Sequence, residues 1–439
     1  MNWHGLHWQH VTELWRGIIR TIWWLLTLAW VLRTYDAVQQ MPDVPDLTFP
    51  DWDALPEGLP TLTVVVPARD EAEKIGATIE ALMLADYAGV RVLVVDDRST
   101  DGTGAIVDAC VAEYAVRRPG ALGAIHIEEL PEGWLGKTFA LMVATENSSS
   151  DYLLFTDADV LFSPSVLRRA LVCARVTQAD HLVVLPTVEV KSRGEGIVLG
   201  FLQVMSLWAT RPWKVEDPKA RRDVAGIGAF NFVRRDALNE MGGWIPQRLA
   251  VLEDITLGRR MRAAGMRQRM AFAPGMVLVH WAKGGHGLLL NMTKNLFSAF
   301  GFQPVFVVLM CAWVFTFFLL PLLGLMWWGT MVQALLIVCC IGALYRVMGK
   351  ASSIDARYAW LYPLGAVAII FAMLRSMVVV LARRGVVWRG TLYPLRDLRR
   401  HNSPFVWERE ARKKRDEAIR TARVVRTLAK KAEKDREKG

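Results

Sequence analysis

Four short apolar runs between residues 62 and 188 alternate with segments of helical pattern. The runs are LTVVVP, VRVLVVDD, YLLFTDAD and HLVVLPTV, and helical patterns over residues 71–84 and 103–114 follow the first two. Short continuous apolar strands that alternate with helices are typical of a parallel sheet covered on both faces. The sequence therefore predicts a soluble α/β domain, which we place at residues 61–286.

Acidic residues follow three of these apolar runs. Asp70 comes shortly after the first run, Asp97 ends the second, and Asp157 and Asp159 end the third. Ligands of open α/β sheets bind outside the carboxyl ends of the strands. Two like charges beside a hydrophobic strand are costly to bury unless a cation lies between them. We therefore expect a ligand site that contains a cation at this edge of the sheet.

The TDAD segment at residues 156–159 is the strongest candidate for binding that cation. Magnesium and manganese prefer oxygen ligands, and magnesium is commonly bound by one or two carboxylates together with substrate phosphates. Asp157 and Asp159, two residues apart on a turn after a strand, supply such a partial set of ligands. The Asp-x-Asp pattern alone occurs by chance, but its position after a buried strand favours Mg²⁺ or Mn²⁺ bound with a diphosphate.

Two further segments carry candidate residues. PEGWLGKTFAL contains Gly-Lys-Thr, but a P-loop needs a glycine where this chain has Pro131, so Lys137 is either a diphosphate contact or a surface lysine. In RLAVLEDITLGRRMRAAG, the pair Glu253 and Asp254 precedes a helical pattern. The pair is either an N-terminal cap or, at Asp254, a general base whose ionised form the helix terminus favours.

Apolar segments outside the α/β domain indicate membrane contact, in keeping with a chain that is 53% hydrophobic. The apolar part of residues 1–40 is shorter than the ~20 residues of a span, so we expect a membrane anchor that is a marginal span or an interfacial helix. Residues 41–60 are rich in proline and acids and predict a linker. The amphipathic residues 287–303 predict an interfacial helix, and three apolar segments predict a transmembrane region at 304–382.

The net charge of +10 lies in the C-terminal segment, where residues 383–439 contain 19 Lys and Arg against 8 Asp and Glu. Beside membrane segments, such a basic tail indicates a lipid surface rather than a nucleic acid. Three full crossings would place the tail away from the α/β domain, against the positive-inside tendency. We therefore expect a cytoplasmic tail and one re-entrant or interfacial segment, with Pro304 and Pro321 marking the first candidate. Five cysteines without metal-site or disulfide spacing favour a reducing compartment.

Together these motifs resemble those of family 2 glycosyltransferases, whose GT-A fold is a Rossmann-like α/β domain that binds nucleotide-diphospho-sugars. The resemblance covers residues 62–300 and includes AGIGAFNFVRRDALNEMGGW, which is similar to the acceptor-side segment of the family. GWLGK, WKVEDP and RRGVVWRGTLYP look most like bacterial membrane members of the ceramide-glucosyltransferase-like, carotenoid and hopanoid-associated types. The resemblance implies a nucleotide sugar donor (UDP-linked), a lipid acceptor, and an inner-membrane protein with its catalytic domain in the cytoplasm.

The same resemblance assigns roles to the acidic residues. Asp70 and Asp97 would bind the uridine part of the donor, and Asp157 and Asp159 would carry Mg²⁺ or Mn²⁺ on its diphosphate. Asp254 would deprotonate the acceptor hydroxyl in an inverting, metal-dependent transfer, with Lys137 as a further diphosphate contact.

One departure from the family bears on the acceptor. Polymer-forming and ceramide-type relatives carry Gln/Arg-x-x-Arg-Trp after the base, whereas this chain reads VLVHWAKGGHGLLLNMTKN. The missing cation could come from His280, Lys283 or His286. A processive polysaccharide synthase is therefore the less favoured alternative. A non-catalytic membrane protein that binds nucleotide sugars is the other, against which the presence of Asp254 argues.

Overall fold

The computed structural model of the protein describes residues 3–401, with side chains from residue 13 onward, so residues 402–439 of the predicted tail lie outside it. Its strands are β1 (Leu62–Ala68), β2 (Val90–Asp97), β3 (Leu122–Ile127), β4 (Tyr152–Phe155), β5 (Val160–Phe162), β6 (His181–Leu185), β7 (Thr187–Val188), β8 (Asn231–Arg234), β9 (Gln268–Phe272), β10 (Val277–Val279), β11 (Gly385–Trp388) and β12 (Thr391–Pro394). Its helices are α1 (Trp3–Gln40), α2 (Ile75–Met83), α3 (Thr103–Arg117), α4 (Gly136–Glu146), α5 (Val166–Val176), α6 (Arg193–Ala209), α7 (Arg235–Glu240), α8 (Glu253–Ala263), α9 (Gly284–Ala299), α10 (Pro304–Val314), α11 (Leu320–Gly324), α12 (Met331–Ser352), α13 (Tyr362–Ala382) and α14 (Leu395–His401).

A seven-stranded sheet forms the centre of the α/β domain, in the order β3-β2-β1-β4-β8-β6-β9. Strand β8 runs antiparallel to both β4 and β6, and the other neighbouring pairs of this sheet are parallel. The predicted parallel sheet is thus confirmed except at β8. This four-residue strand was not among the apolar runs, and its buried Phe232 completes the core between β4 and β6.

Helices cover both faces of this sheet, as the continuous apolar runs predict. Along β1, Val64 and Val66 contact a buried cluster that includes residues of α2 and α5, whereas Val65 contacts a cluster that includes residues of α4 and α8. Successive side chains of a strand point to opposite faces. A strand buried on both faces therefore has to be apolar at every position, which is what LTVVVP provides.

A second, three-stranded sheet in the order β5-β10-β7 fixes the acidic turn. Strand β5 begins at Val160, directly after Asp159, and pairs antiparallel with β10. The TDAD segment is therefore held between β4 of the large sheet and β5 of the small one. This arrangement fixes the backbone that carries the two carboxylates.

The N-terminal helix and the predicted linker both pack on the rest of the protein. The Trp30 side chain of α1 is fully buried, with Trp208 and Phe318 in edge-on contact with its ring. In the predicted linker, Leu47 is fully buried and its backbone N–H donates to the carbonyl oxygen of Phe272. Residues 41–60 are therefore a fixed connection in this structure.

Three helical segments in the described part of the chain are long and apolar enough to cross a membrane: Pro304–Gly324, Met331–Ser352 and Ala356–Ala382. They agree with the three apolar segments identified in the sequence. The first contains a π-helical segment, Phe315–Leu319, just before Pro321. The predicted interfacial helix corresponds to α9, which lies along α13.

The chain returns to the α/β domain after the last apolar helix. Strands β11 and β12 form an antiparallel hairpin, which we call the C-terminal hairpin (residues 385–394). Arg389 Nη2 in this hairpin lies 2.8 Å from Glu71 Oε1, just after β1. Residues from 383 onward were predicted to form a basic tail, whereas the structure places residues 385–394 against the edge of the sheet.

Candidate functional site

A cavity of about 1020 Å³ lies between the carboxyl ends of the central strands and the apolar helices. One wall comes from the strand ends and loops of the α/β domain. The other comes from helix α6 of that domain together with α9, α12, α13 and the C-terminal hairpin. The wall from the α/β domain is acidic and includes Asp97, Asp157, Asp159, Glu253 and Asp254. The opposite wall is largely apolar. The predicted clustering of acids at the strand ends is therefore present, and it faces this largely apolar wall.

The two residues expected to bind uridine are placed differently. Asp97 lines the cavity, but Asp70 does not. The Oδ1 atom of Asp70 accepts a hydrogen bond from the backbone N–H of Thr100 (2.9 Å), and the Asp70 N–H donates to Ser99 Oγ (3.0 Å). With a φ of +53°, Asp70 has the left-handed backbone that aspartate tolerates better than most residues. In this structure Asp70 joins the loops that follow β1 and β2.

Asp97 is buried in contact with the start of α4. Arg98 Nε donates to Asp97 Oδ1 at 2.7 Å, and Arg69 Nη1 lies 3.6 Å from Asp97 Oδ2. A Cβ atom placed on Gly136 would lie only 2.0 Å from Asp97 Oδ2. The glycine of the GWLGK segment therefore allows the first residue of α4 to approach this carboxylate.

Lys137 is the cation between the carboxylates. Its Nζ lies 2.5 Å from Asp157 Oδ1 and 2.5 Å from Glu253 Oε1. Burial alone would lower the pKa of Lys137, but the charges of Asp157 and Glu253 raise it above its ordinary value. Lys137 lines the cavity and joins the turn after β4 to the first residue of α8. The alternative of a surface lysine is therefore excluded.

The oxygen atoms expected to bind a metal are exposed to the cavity and close to positive charge. Asp159 Oδ2 lies 2.8 Å from Lys74 Nζ, and the Asp157 and Asp159 side chains are 37% and 23% exposed. Within residues 3–401 no group of three or more His, Cys, Asp or Glu is arranged to bind a metal ion. Two carboxylates fit a hard cation only if a substrate supplies further oxygen ligands, as a diphosphate can. The ammonium groups now beside them show that these positions stabilise a cation.

Asp254 lies in the first turn of α8, facing the cavity. The Ile255 N–H donates to Asp254 Oδ1 at 2.7 Å, and the residue before the helix, Leu252, provides no side-chain cap. Burial, followed by the negative charge of Glu253, raises the pKa of Asp254 to about 7. A carboxylate with a pKa near neutrality can both accept and release a proton at physiological pH.

The three residues suggested as the cation of the missing motif, His280, Lys283 and His286, do not line the cavity. His280 Nε2 lies 3.4 Å from Glu195 Oε2, and Lys283 Nζ lies 3.7 Å from Glu73 Oε2.

Lys294 and the C-terminal hairpin supply positive charge at the cavity instead. Lys294 Nζ lies 3.9 Å from the centre of the Trp388 ring, and Arg389 pairs with Glu71. Arg69 Nη2 donates to the Arg389 carbonyl oxygen at 3.3 Å. The only sequence signal for the hairpin residues Trp388 and Arg389 was the segment RRGVVWRGTLYP, whose position in the fold no local pattern specifies.

Comparisons with known proteins agree on the class of enzyme. Residues 60–289, slightly more than half of the chain, match the family described as glycosyltransferase like family 2. The beta-monoglucosyldiacylglycerol synthase of Synechocystis is 28% identical over 298 residues, which are 61% of this chain and 56% of that protein. The 4,4'-diaponeurosporenoate glycosyltransferase of Staphylococcus aureus is 24% identical over 258 residues, which are 58% of this chain and 66% of that protein.

The matches to these two relatives span less than two thirds of each relative's length. Among solved structures, a mannosyltransferase from Pyrobaculum calidifontis in complex with GDP-Man and Mn²⁺ superimposes with a TM-score of 0.48 and 19% identity. The superposition covers 82% of this chain and 98% of that one.

Proposed function

Because the chain belongs to the glycosyltransferases of family 2, which act on nucleotide sugars, we propose that it transfers one sugar from a UDP-sugar to a hydroxyl group of a membrane lipid, with inversion at the anomeric carbon. The observation that carries this proposal is the cavity, because it joins the acidic edge of the sheet to an apolar wall of membrane helices. A soluble acceptor would not require the apolar wall. The names of the two relatives, one for a diacylglycerol product and one for a carotenoid acid, support a lipid acceptor.

In the proposed mechanism Asp254 accepts the proton of the acceptor hydroxyl as its oxygen attacks the anomeric carbon. The bond from that carbon to the diphosphate breaks on the opposite face, and the diphosphate leaves with the electron pair. Lys137 lies beside Asp157 and stabilises the negative charge that develops on the leaving group. Glu253 accepts from Lys137 Nζ and fixes its position. A divalent cation bound by Asp157 and Asp159 would neutralise part of the same charge.

We assign the nucleotide as UDP from the family resemblance. Of the two residues expected to contact it, Asp97 supports this assignment and Asp70 does not. Asp97 lines the cavity and is available to a ribose or base. Asp70 supports that wall indirectly, through its hydrogen bond to the Thr100 backbone. We therefore propose Asp97 as the direct contact and Asp70 as a residue that fixes the loop beside it.

The test of the function is transfer of label to lipid. Membranes containing the protein are incubated with a panel of labelled UDP- and GDP-sugars, and lipids are extracted into organic solvent. We expect label in the organic phase with one sugar per acceptor. The Asp254→Asn variant should lower turnover by roughly 10²–10⁴ while UDP binding stays within a few fold, since a positioned base contributes about that factor. Label mainly in water-soluble or high-molecular-weight material would contradict the proposal and favour a polysaccharide synthase. Absence of any transfer would favour a non-catalytic binding protein.

We further propose that the protein is an inner-membrane protein whose C-terminal hairpin lies on the cytoplasmic side with the catalytic domain. The ion pair between Arg389 and Glu71 supports this, because it requires an even number of crossings between Pro304 and the hairpin. Helix α13 packs against α6 of the catalytic domain. The ring of Tyr358, in the short turn before α13, lies against Gly196 of α6, where an added Cβ would be 2.0 Å away.

One face of α13 is covered by the protein, and the other exposes a regular apolar stripe formed by Leu364, Val367, Phe371, Leu374, Val378 and Leu381. This spacing of three and four residues is that of one helix face in contact with apolar surroundings such as lipid. The ion pair between Arg389 and Glu71 leaves an even number of crossings for the apolar segments before it. We therefore propose that residues 304–352 cross the membrane out and back, and that α13 lies along its cytoplasmic face. This differs from the sequence-based expectation, which placed the interfacial segment at Pro304 and Pro321.

Cysteine labelling in intact cells tests this topology. In a background without the five native cysteines, Trp328→Cys, in the turn before α12, should react with an impermeant reagent from outside. Leu392→Cys, exposed on the hairpin, should react only after the cells are opened. Labelling of Leu392→Cys from outside would establish three crossings and exclude the proposed arrangement.

A further inference from the structure

The apolar wall of the cavity contains an arginine where a membrane-associated helix has no general need for one. Arg375 is the only charged residue of α13, and it lines the cavity. Its Nη1 donates to Thr293 Oγ1 of α9. Among residues 13–401 no carboxylate lies within ion-pair distance of Arg375. By contrast, Arg389, another arginine that lines the cavity, is paired with Glu71. An ionisable side chain on an otherwise apolar helix is costly to bury unless it is paired or hydrogen-bonded.

A second cation of the same wall lies next to this contact. Lys294 follows Thr293 on α9, and its Nζ lies over the ring of Trp388. In the described part of the chain Lys294 likewise has no carboxylate at ion-pair distance. Burial lowers the pKa of Lys294, and the charges of Glu253 and Asp157 act in the opposite direction. Lys294 is therefore close enough to the acidic end to feel its field.

The surroundings of Arg375 separate it from the expected diphosphate site. The acidic end already has its own cations, because Lys137 pairs with Asp157 and Lys74 pairs with Asp159. Arg375 comes from the opposite wall, whose lining includes the apolar side chains of Leu288, Met292, Val379 and Val380. Unpaired cations beside apolar side chains match a ligand that has both an anionic group and hydrocarbon chains.

From this arrangement we propose that Lys294 and Arg375 bind the phosphate of a glycerophospholipid, and that a hydroxyl of the same headgroup is the sugar acceptor. The inference rests on the proposed transfer to a lipid and narrows the acceptor to a phosphate-bearing class. Arginine and lysine form charge-assisted hydrogen bonds with phosphate oxygens. With its phosphate held at the apolar wall, a headgroup hydroxyl extends toward Asp254, while the acyl chains remain beside α13.

The experiment uses the purified full-length protein in phosphatidylcholine vesicles that contain either phosphatidylglycerol or diacylglycerol. The donor is the labelled nucleotide sugar selected by the panel described above. We expect the label on phosphatidylglycerol, and a KM for that lipid that rises roughly 10- to 100-fold in Arg375→Gln, the factor expected for a lost hydrogen bond to a charged group. Arg375→Lys, which keeps the charge, should restore most of the activity. Arg346→Gln is the matched control, because Arg346 is an exposed arginine of α12 that does not line the cavity.

Titration with UDP separates the two sources of phosphate. UDP affinity should be the same in Arg375→Gln as in the unaltered protein, and an equal loss of UDP affinity would overturn the proposal by assigning Arg375 to the donor. Transfer to diacylglycerol that is insensitive to Arg375→Gln would also overturn it, while leaving transfer to a lipid intact. Label on neither lipid, when membrane extracts do contain labelled lipid, would exclude the phosphate-bearing class. The proposed function itself fails only if no lipid of any kind is labelled.

Discussion

Replacing Lys137 by methionine tests whether this side chain is the cation that allows the acidic site to fold. Its Nζ lies 2.5 Å from an oxygen of Asp157 and 2.5 Å from one of Glu253, and the three side chains are 22%, 37% and 9% exposed. Removing one partner of a buried ion pair costs about 3–5 kcal/mol, because it leaves an uncompensated charge. Because Asp157 is more than a third exposed, we expect the lower end of this range, about 3 kcal/mol. At about 2–4 °C per kcal/mol for a domain of this size, the melting temperature in detergent without metal should fall by about 6–12 °C.

The matched control is Lys74→Met. Lys74 Nζ lies 2.8 Å from Asp159 Oδ2, but the lysine side chain is 42% exposed, and exposed ion pairs contribute about 1 kcal/mol or less. Thermal melting by differential scanning fluorimetry should therefore place the Lys74 variant within about 2–4 °C of the unaltered protein. Equal melting temperatures for the two variants would refute the argument that Lys137 compensates buried charge.

Manganese provides the second readout of the same pair of variants. A ligand that binds only the folded state stabilises it in proportion to its affinity. The Lys137→Met variant has no ammonium group beside Asp157, Glu253 and Asp254. Mn²⁺ should therefore raise the melting temperature of this variant by more than it raises the melting temperature of the unaltered protein. The same increase in both proteins would show that Lys137 does not occupy the position of the cation.

Three further changes follow from individual contacts. The pKa of Asp254 is raised to about 7, and Asp254 must be ionised to act as the base. We therefore expect kcat/KM to rise with pH through neutrality, measured as initial rates over about three pH units around that pKa, from roughly 5.5 to 8.5. A flat pH profile would contradict this role. Burial lowers the pKa of His181 to about 4 in the folded protein, whereas an unfolded histidine has its ordinary pKa of about 6.5. Below that pH the unfolded state therefore binds more protons than the folded state. Stability should therefore be complete above that pH and be lost by roughly 3 kcal/mol as pH falls toward 4, which melting curves of the unaltered protein and His181→Gln would separate. Gly136→Ala places a methyl group 2.0 Å from Asp97 Oδ2, and a titration should show UDP binding weakened about tenfold or more. The control Gly342→Ala, with no atom within 4 Å of the added carbon, should leave UDP affinity unchanged. Equal UDP affinities for the two variants would exclude Asp97 as the nucleotide contact.

The sequence was sufficient to predict the α/β domain because its signals are local. LTVVVP and VRVLVVDD are buried on both faces and therefore apolar throughout, and each leads into a helix. The GT-A fold expected from these motifs is confirmed, as are membership of family 2 and the three apolar helices. Strand β8 escaped because four residues with two polar ends, Asn231 and Arg234, contain too little of either hydrophobic period to stand out.

The candidate site was predictable at the edge of the sheet and not beyond it. Asp97, Asp157, Asp159 and Asp254 gather at the cavity because each follows or begins a regular element whose position the fold dictates. Asp70 shares the same kind of position, but its left-handed φ turns it toward the Thr100 backbone and away from the cavity. No alternation of apolar and polar residues encodes such a dihedral angle.

The contributions of α9 and the C-terminal hairpin depend on long-range packing. Thr293 meets Arg375, 82 residues away in the chain, and Glu71 meets Arg389, 318 residues away. Hydrophobic periodicity specifies which face of a helix is buried, but it does not specify the partner. For this reason residues from 383 onward were predicted to form a basic tail.

The pairing of Glu71 with Arg389 also makes the site depend on the apolar helices outside the α/β domain. The α/β domain supplies the acids and Lys137, whereas Lys294, Arg375 and Trp388 come from α9, α13 and the C-terminal hairpin. An arginine in an apolar helix is tolerated where it meets polar groups, and the cavity provides them. Arg375 donates to Thr293 of α9, and the hairpin that follows α13 pairs with Glu71. The cavity is therefore complete only when α13 packs on both α9 and the catalytic domain, and the donor and the lipid of the proposed reaction would meet there.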